Sequence, residues 1–393
     1  MISVLVDGRI DGHDGIGRYT RCLTGALRAH VGRDVRVGVL PPSGTVRYGL
    51  AEGEELLRAA RARGADIVHL LDYRVPLGEP EIPLVATVHD LLRLLRPDHC
   101  YDDLDFVARF GPDGLAQLKA ATTTLRGLAD YPPGLVREPR SLHEEFCARM
   151  LALACARADR IVTPTRAVAQ QLSGALGRSV GVRVSPWGID HQKVEQPDPD
   201  PSPTPPPVET SGRYLLYVGQ ALAHKRLPEL LAAYEASRAR VMDVRLLCVG
   251  RDFAAGAHGA QLLADRLGET AVAVGAVPDP TLVDLYQRAE ALVHLAEDEG
   301  FGFPPLEALA AGIRVIASDI PALRETLAAH AMFVDPFDPD QVADAIDHVL
   351  ATTDDAADRR RRIRWAQAYR WRRHARDIVA VYTEVARCAQ NWS

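Results

Sequence analysis

The sequence lacks paired cysteines. Its six cysteines are scattered along 393 residues without a CxxC pair, at Cys22, Cys100, Cys147, Cys155, Cys248 and Cys388. This spacing offers neither a zinc-finger pattern nor the framework of a small disulfide-rich domain. We therefore expect reduced thiols, a cytoplasmic location and no structural metal.

Long apolar runs and excess positive charge are also missing. The opening MISVLVDGRIDG has no positive region followed by a sustained apolar core, so it does not read as a signal peptide. No apolar stretch approaches the about 20 residues of a membrane span. A net charge of -6 disfavours nucleic acid as a partner. The absences predict a soluble, cytoplasmic protein.

What the sequence has is a length and a pattern suited to two domains. At 393 residues it exceeds one ordinary domain, and the proline-rich run 195–212 predicts a semi-rigid linker. Each half alternates short β-branched runs with helix-period segments, which is typical of parallel α/β sheets. The predicted strands are 2–6, 35–40, 66–70, 84–88, 160–163, 180–185, 214–218, 244–249, 271–274, 291–294, 314–317 and 332–334.

The predicted fold class is therefore α/β, with two doubly wound Rossmann-like domains that face a cleft. Ligands of such sheets bind beyond the carboxyl ends of the strands. The expected divisions are a first domain 1–194 with an irregular insertion 97–146, a second domain 213–370, and a final helix 371–393 that packs back across both. We expect the insertion to form helices and loops over the mouth of the first domain.

The most specific motif runs from Glu299 to Glu307 and follows a predicted strand. Gly300 and Gly302 let the backbone approach a ligand, and the two prolines that follow suit the first turn of a helix. A helix N-terminus presents unpaired N–H groups to a phosphate or diphosphate. Glu307 is placed to accept ribose hydroxyls and Glu299 lies where a sugar would sit. The alternative is an ordinary helix start with acidic residues that complement its dipole.

This motif resembles the E-x7-E signature of the retaining glycosyltransferases with the GT-B fold called family 4. Further stretches are similar to that family: Tyr214-Leu-Leu-Tyr-Val-Gly219 with His224-Lys225-Arg226, Gly275-Ala-Val-Pro278, residues 310–318, Gly15-Ile-Gly17-Arg18-Tyr19 and Val88-His89-Asp90. Two departures stand out, because Trp187 replaces a usual asparagine and Ala296 a common serine.

The resemblance implies a nucleoside-diphosphate (NDP) sugar as donor, UDP or GDP by preference, without cofactor or metal. Catalytic roles fall to His89, Lys225 and Glu299; a lysine between a strand and a helix can neutralise a departing diphosphate. The implied acceptor residues, in the first domain, are His69, Asp72, Tyr73 and Asp90. The implied donor residues are Gly15, Gly17, Gly219, Lys225, Arg226, Val277, Gly300, Phe301, Gly302, Phe303 and Glu307.

Other functions remain open at this stage. A sugar-nucleotide epimerase or isomerase shares this architecture, and so does a silent nucleotide-sugar-binding protein. The arginine-rich run 358–376 predicts either a peripheral membrane contact or, by preference, a solvated face. The Ala-, Arg- and Gly-rich composition is typical of a high-GC bacterial genome. Such bacterial enzymes modify secondary metabolites, cell-wall lipids or polysaccharides. The expected acceptor is a hydroxyl group of a small molecule, a lipid or a glycan.

Overall fold

The computed structural model describes residues 1–10, 12, 15–30, 32, 34–42, 48–135, 137–189 and 212–390. It divides into two compact units, residues 1–188 with 371–393, and residues 189–370. The linker predicted at 195–212 lies, but for residue 212, outside the described residues.

The first unit is built on a six-stranded sheet in the order β2-β1-β3-β4-β5-β6, and all its pairings are parallel. Each central strand is buried along its length, which is why these segments read as continuous apolar runs. The predicted strands are confirmed to within two residues at each end. They are β1 (Ile2–Asp7), β2 (Val35–Leu40), β3 (Ile67–Leu70), β4 (Leu84–Thr87), β5 (Arg160–Thr163) and β6 (Val182–Val184).

The segment 97–146 is more regular than we predicted. Most of it is one long helix and the start of another, and these two helices pack on each other. Asp102 and Ser141 cap the two helices by accepting hydrogen bonds from Asp105 N and Glu144 N. Gly111, with φ of 76°, kinks the first helix ahead of Pro112. The helices up to this unit's last strand are α1 (Gly15–His30), α2 (Leu50–Ala62), α3 (Leu92–Leu95), α4 (Asp103–Leu128), α5 (Leu142–Arg157) and α6 (Arg166–Leu176).

The second unit repeats the plan with the strand order β12-β11-β10-β7-β8-β9, again all parallel. Its strands also confirm the prediction: β7 (Arg213–Val218), β8 (Val244–Val249), β9 (Ala271–Gly275), β10 (Ala291–His294), β11 (Arg314–Ser318) and β12 (Met332–Val334). Its helices are α7 (Leu227–Ala236), α8 (His258–Leu267), α9 (Asp279–Arg288), α10 (Phe303–Ala311), α11 (Pro321–Leu327), α12 (Pro339–Ala351) and α13 (Ala356–Ala366).

The last helix, α14 (Trp371–Gln390), belongs to the first unit, where it packs on α1, β1 and β3. Its buried face carries Ile378, Val381, Tyr382 and Val385 at helical spacing, as the apolar pattern predicted. Along the described residues, no helix is both long and apolar enough to cross a membrane.

The arginine-rich run 358–376 spans α13 and the start of α14. Arg362 is buried and donates from Nε and Nη2 to the carbonyl of Gly312 at 2.9 and 2.8 Å, so it caps the end of α10. Arg361 pairs with Asp358. Others, such as Arg372 and Arg376, are exposed. Part of the run is therefore structural, and other arginines of it are exposed.

Candidate functional site

The turn from Glu299 to Glu307 joins β10 to α10 at the carboxyl edge of the second sheet. Gly302 precedes the helix with φ of 83°, and a side chain there would meet Leu323 Cδ2 at 2.6 Å. Both the left-handed backbone and the close approach require glycine. Pro304 and Pro305 form the first helical turn, where their missing N–H groups carry no penalty.

The aromatic residues of this turn face inward. Phe301 is 1% exposed and Phe303 8%, and their rings lie 5.4 Å apart with Tyr369 5.7 Å from Phe301. Through this packing they anchor the turn. Gly300 is buried beside them.

Lys225 reaches the same turn from β7. It ends the short 3₁₀ helix Ala223–Lys225, and its ammonium forms an ion pair with Glu299, each side chain being 17% exposed. The two loops are tied by the backbone hydrogen bond from Glu297 N to His224 O at 2.9 Å. His294, at the end of β10, completes the group with Nε2 at 3.1 Å from Glu299 Oε1.

The electrostatics of this group are consistent with an ionised Glu299. Burial would raise the pKa of Glu299, but the Lys225 ammonium and the His294 hydrogen bond outweigh it and hold that pKa below its ordinary value. Burial lowers the pKa of His294, against the raising effect of Glu299. The imidazole is therefore neutral near pH 7.

Arg226 is engaged elsewhere. It adopts a left-handed conformation with φ of 47°, pairs with Glu229 and, at 3.1 Å, with Glu297, and stacks over Phe337 at 4.4 Å. Its guanidinium therefore stabilises the loop that holds Lys225. The predicted donor-binding role of Arg226 is not supported by this arrangement.

Glu307 lies one turn into α10 and is 7% exposed. Tyr286 on α9 donates its hydroxyl hydrogen to Glu307 Oε2 at 3.2 Å, which orients the carboxylate. Helix α9 follows the loop 275–278, which is the predicted base-binding loop. The hydrogen bond from Tyr286 therefore connects the helix after that loop to Glu307. Val277, in that loop, is half-buried.

Gly219 continues β7 beyond its end. Its N–H bonds to Val249 O at 2.9 Å, and Gly250 N in turn bonds to Gly275 O at 2.9 Å. A side chain at Gly250 would meet Gly219 O at 1.9 Å. Gly250 is therefore required by its close approach to the backbone of Gly219.

In the first unit, Gly15 and Gly17 begin α1 at the carboxyl edge of the sheet. A side chain at Gly17 would meet Gly12 O at 1.8 Å, whereas Gly15 is exposed with open space around it. Gly17 is therefore required by the loop's own packing. The Lys225 group described above is built from second-unit residues.

His89 follows β4 and is 6% exposed. Its Nε2–H donates to Leu71 O at 2.6 Å, and its ring packs edge-on against Tyr19 at 4.9 Å and Trp187 at 5.0 Å. Trp187, the departure noted in the sequence, thus helps to fix the His89 ring. Asp90 Oδ1 accepts a hydrogen bond from Leu92 N at 3.0 Å, just before α3.

The other predicted acceptor residues have structural partners. His69 is fully buried, with Nδ1 2.7 Å from the Tyr382 hydroxyl and Nε2 3.0 Å from Thr87 Oγ1. It holds α14 to the sheet, and we do not retain it as an acceptor contact. Asp72 accepts from Arg74 Nε at 2.6 Å, and Tyr73 is half-buried against the core.

Sequence reasoning missed a buried polar chain that joins α1 to α14. The Tyr19 hydroxyl lies 3.0 Å from His374 Nε2, and His374 Nδ1 lies 2.8 Å from Ser185 Oγ, which donates to Asp377 Oδ2 at 3.2 Å. No local signal reveals it, because hydrogen-bonded members such as Tyr19 and His374 lie 355 positions apart in the sequence. Within the described residues, no three His, Cys, Asp or Glu side chains group as a metal site requires.

Comparison with known proteins identifies both halves of the chain. The model "Glycosyltransferase Family 4" matches residues 14–193, and "Glycosyl transferases group 1" matches residues 203–367. Each match covers one half, so together they account for most of the sequence.

Among curated relatives, the chain is similar to the O-antigen chain mannosyltransferase RfbU of Salmonella typhimurium, with 32% identity over 35% of this chain and 38% of that protein. It is 35% identical, over 28% of this chain and 30% of the other, to the GDP-mannose:cellobiosyl-diphosphopolyprenol alpha-mannosyltransferase of Xanthomonas oryzae. The matches thus span little more than a third of those relatives' length.

Among solved structures, the Anabaena protein HepE in complex with UDP-glucose aligns over 100% of both chains, with a TM-score of 0.64 and 15% identity. At that identity the likeness is one of fold. It agrees with two Rossmann-like units of the kind described above.

Proposed function

Since the chain belongs to the GT-B-fold glycosyltransferases of family 4, we propose that it transfers a sugar from an NDP-sugar to an acceptor hydroxyl. The observation that carries the proposal is the meeting of Lys225, Glu299 and the N-terminus of α10 at one sheet edge. A cation, a hydrogen-bond acceptor and the positive end of a helix dipole are what a sugar diphosphate needs.

The second unit holds the donor in this proposal. Lys225 and the N–H groups of the turn at Gly302 bind the diphosphate, and Glu307, oriented by Tyr286, accepts ribose hydroxyls. Glu299 accepts a hydroxyl of the transferred sugar. The loop 275–278 takes the base through backbone contacts.

The reaction we propose retains the anomeric configuration and uses no metal. The bond from the anomeric carbon to the diphosphate oxygen breaks, and the acceptor oxygen bonds to that carbon on the same face. The departing diphosphate takes the acceptor proton. Lys225 and the helix N-terminus stabilise the charge that develops on it. His89, in the first unit, is the candidate partner for a sugar hydroxyl.

For the donor we favour a GDP- or UDP-sugar. The named relatives include a GDP-mannose-dependent mannosyltransferase, and HepE is known with UDP-glucose. GDP-mannose is therefore the first donor to test and UDP-glucose the second. The acceptor is a hydroxyl of a small molecule, lipid or glycan, which we assign to first-unit residues that include Asp72, Tyr73 and Asp90. The exposed arginines of α14 allow a peripheral membrane contact, although we favour a solvated face.

Incubating the protein with single NDP-sugars tests the proposal. Slow release of free NDP, with water as a poor acceptor, is expected for a transferase. Isomerised sugar without NDP release would point to an epimerase instead, and binding without any conversion to a silent binding protein. The intact Lys225–Glu299 pair favours the first outcome.

Replacing Glu307 by alanine should weaken GDP or UDP binding by about 1.5–3 kcal/mol, the scale of hydrogen bonds to a charged group. The carboxylate is buried and already oriented, so its loss removes a prearranged acceptor. Calorimetric titration with the nucleotide measures the change. Glu269→Ala, an exposed glutamate of the same unit, is the control. Equal affinity in Glu307→Ala and parent for every nucleotide would remove Glu307 from the site.

A further inference from the structure

The carboxylate of Glu299 is held through one of its two oxygens. Lys225 Nζ and His294 Nε2 both contact Oε1, the second at 3.1 Å. Across the described residues, these are the polar side chains that the structure brings to this carboxylate. Oε2 is therefore the oxygen left to face a ligand.

His294 can act toward Glu299 only as a neutral hydrogen-bond donor. It is 2% exposed at the last position of β10, where burial keeps its pKa below the ordinary value. An ionised carboxylate accepts hydrogen bonds and donates none, so Nε2 must carry the hydrogen. The group therefore carries one positive charge, on Lys225, and one negative charge, on Glu299.

We propose that His294 is a positioning residue: its Nε2–H holds Oε1 of Glu299 so that Oε2 is presented to a hydroxyl of the donor sugar. This inference rests on the proposed function and deepens it. It assigns to the site a residue that lies outside both the Glu299–Glu307 motif and the His224-Lys225-Arg226 motif.

The need for a second anchor follows from the role of Lys225. Its ammonium is the partner of Glu299 in the structure, yet it is also the cation offered to the donor diphosphate. A diphosphate carries more charge than one carboxylate and competes for the ammonium. When Lys225 turns toward the phosphates, Glu299 loses its strongest partner at the moment the sugar arrives.

His294 does not take part in that competition. A neutral imidazole in a buried strand end has no comparable attraction to the diphosphate, and its rigid ring has few rotamers to lose. Glu299, with three side-chain torsions, would otherwise have to be ordered by the sugar itself. The hydrogen bond from His294 therefore supplies the orientation in advance, which favours the transition state.

The test compares His294→Phe, which keeps an aromatic ring but has no donor, with His294→Gln, whose amide nitrogen reaches a position close to Nε2. Binding of GDP and GDP-mannose, or of UDP and UDP-glucose, is measured by calorimetry, and NDP release gives kcat and KM. His348→Gln, an exposed histidine on α12, is the matched control.

We expect His294→Phe to lose about tenfold in kcat/KM for NDP release, the size of one hydrogen bond to a charged group. Affinity for the free nucleotide should stay within about twofold, because the nucleotide lacks the sugar that Glu299 meets. His294→Gln should regain most of the loss. Thermal unfolding of each variant shows that it is folded, and His294→Asn replaces His294→Phe if the larger side chain prevents folding.

Equal losses in His294→Phe and His294→Gln, or a fall in nucleotide affinity as large as that for the sugar nucleotide, would overturn the positioning role. A parent protein that binds none of the nucleotide sugars would instead overturn the proposed function. The two failures are distinct, because the first requires an active parent.

Discussion

Lys225→Met is expected to reduce turnover at least about a hundredfold while reducing donor affinity much less. The charge on the leaving diphosphate is larger in the transition state than in the bound donor, so the ammonium stabilises the transition state more. Removing one preorganised group of this kind costs about 10²–10³ in kcat. NDP release at saturating donor measures the change, and calorimetry measures donor affinity.

The same substitution should also destabilise the second unit. Glu299 and Lys225 are each only 17% exposed, and removing one partner of such a pair leaves the other charge uncompensated. A loss of about 3 kcal/mol is expected for a buried pair, and less for one with this exposure. The pKa of Glu299 should rise as well. Burial raises this pKa, and Lys225 is the main group that holds it below its ordinary value.

A double variant separates the two effects. Lys225→Met with Glu299→Gln leaves no unpaired charge, so stability should recover although turnover does not. Arg266→Met is the control, because Arg266 pairs with Glu235 at 2.5 Å on α8 and α7, in the same unit. A loss in Lys225→Met confined to the donor KM, with kcat intact, would mean that Lys225 only anchors the diphosphate.

The strands could be predicted because their burial is complete. Strands such as β3 and β10 are covered on both faces, so each reads as an unbroken apolar run bounded by polar residues. The prediction depends on composition alone and needs no knowledge of what covers the sheet. The Glu299–Glu307 turn was predictable for a similar reason, since its glycines and prolines encode the local backbone directly.

The helix α4 could not be predicted from the same signals. Gly111 and Pro112 stand in its interior and read as breakers. In the structure the positive φ of Gly111 absorbs the kink, and Pro112 then lies in the first turn after it, where proline is tolerated. The helix therefore continues through Gly111 and Pro112 with a kink. In the sequence, the same two residues are equally typical of a loop between two separate helices.

The roles of two site residues were missed because they depend on partners that only the folded chain brings near. His294 stands in an apolar strand and reads as a core residue, and only the folded turn brings Glu299 back to it. Arg226 reads as a second cation beside Lys225, but its left-handed backbone directs it to Glu229 and Glu297. The spacing of residues in the sequence does not predict the contacts of His294 or Arg226, because they depend on the path of a loop.

Acid should destabilise the first unit, and this effect is expected to be large. His69 and His374 are fully buried between the sheet and α14, and burial, followed by nearby histidines, lowers the pKa of each to about 3. Burial likewise lowers the pKa of His143, on α5, to about 3. These imidazoles are neutral in the folded protein and titrate near 6.5 when unfolded.

The sign follows from linkage. Between pH 6.5 and 3 the unfolded chain binds protons that the folded chain does not, so the free energy of unfolding falls as the pH falls. Each histidine contributes roughly 1 kcal/mol per pH unit in that window. Well above pH 6.5 the three have no effect, because they are neutral in both states.

Hydrogen–deuterium exchange measures the pH dependence of stability separately for each unit. Separate measurement is needed because two-domain proteins need not unfold in one step. Amides of β3 and α14 should exchange progressively faster from pH 6.5 to 4.5, after correction for the intrinsic pH dependence of exchange. His374→Gln removes one titrating group, so its loss of protection per pH unit should be smaller than that of the parent, although its stability at pH 7.5 is lower. His30→Gln, at an exposed position on α1, should follow the parent. Protection of α14 that is the same at pH 4.5 and 7.5 would show that His69 and His374 are not held neutral by the fold.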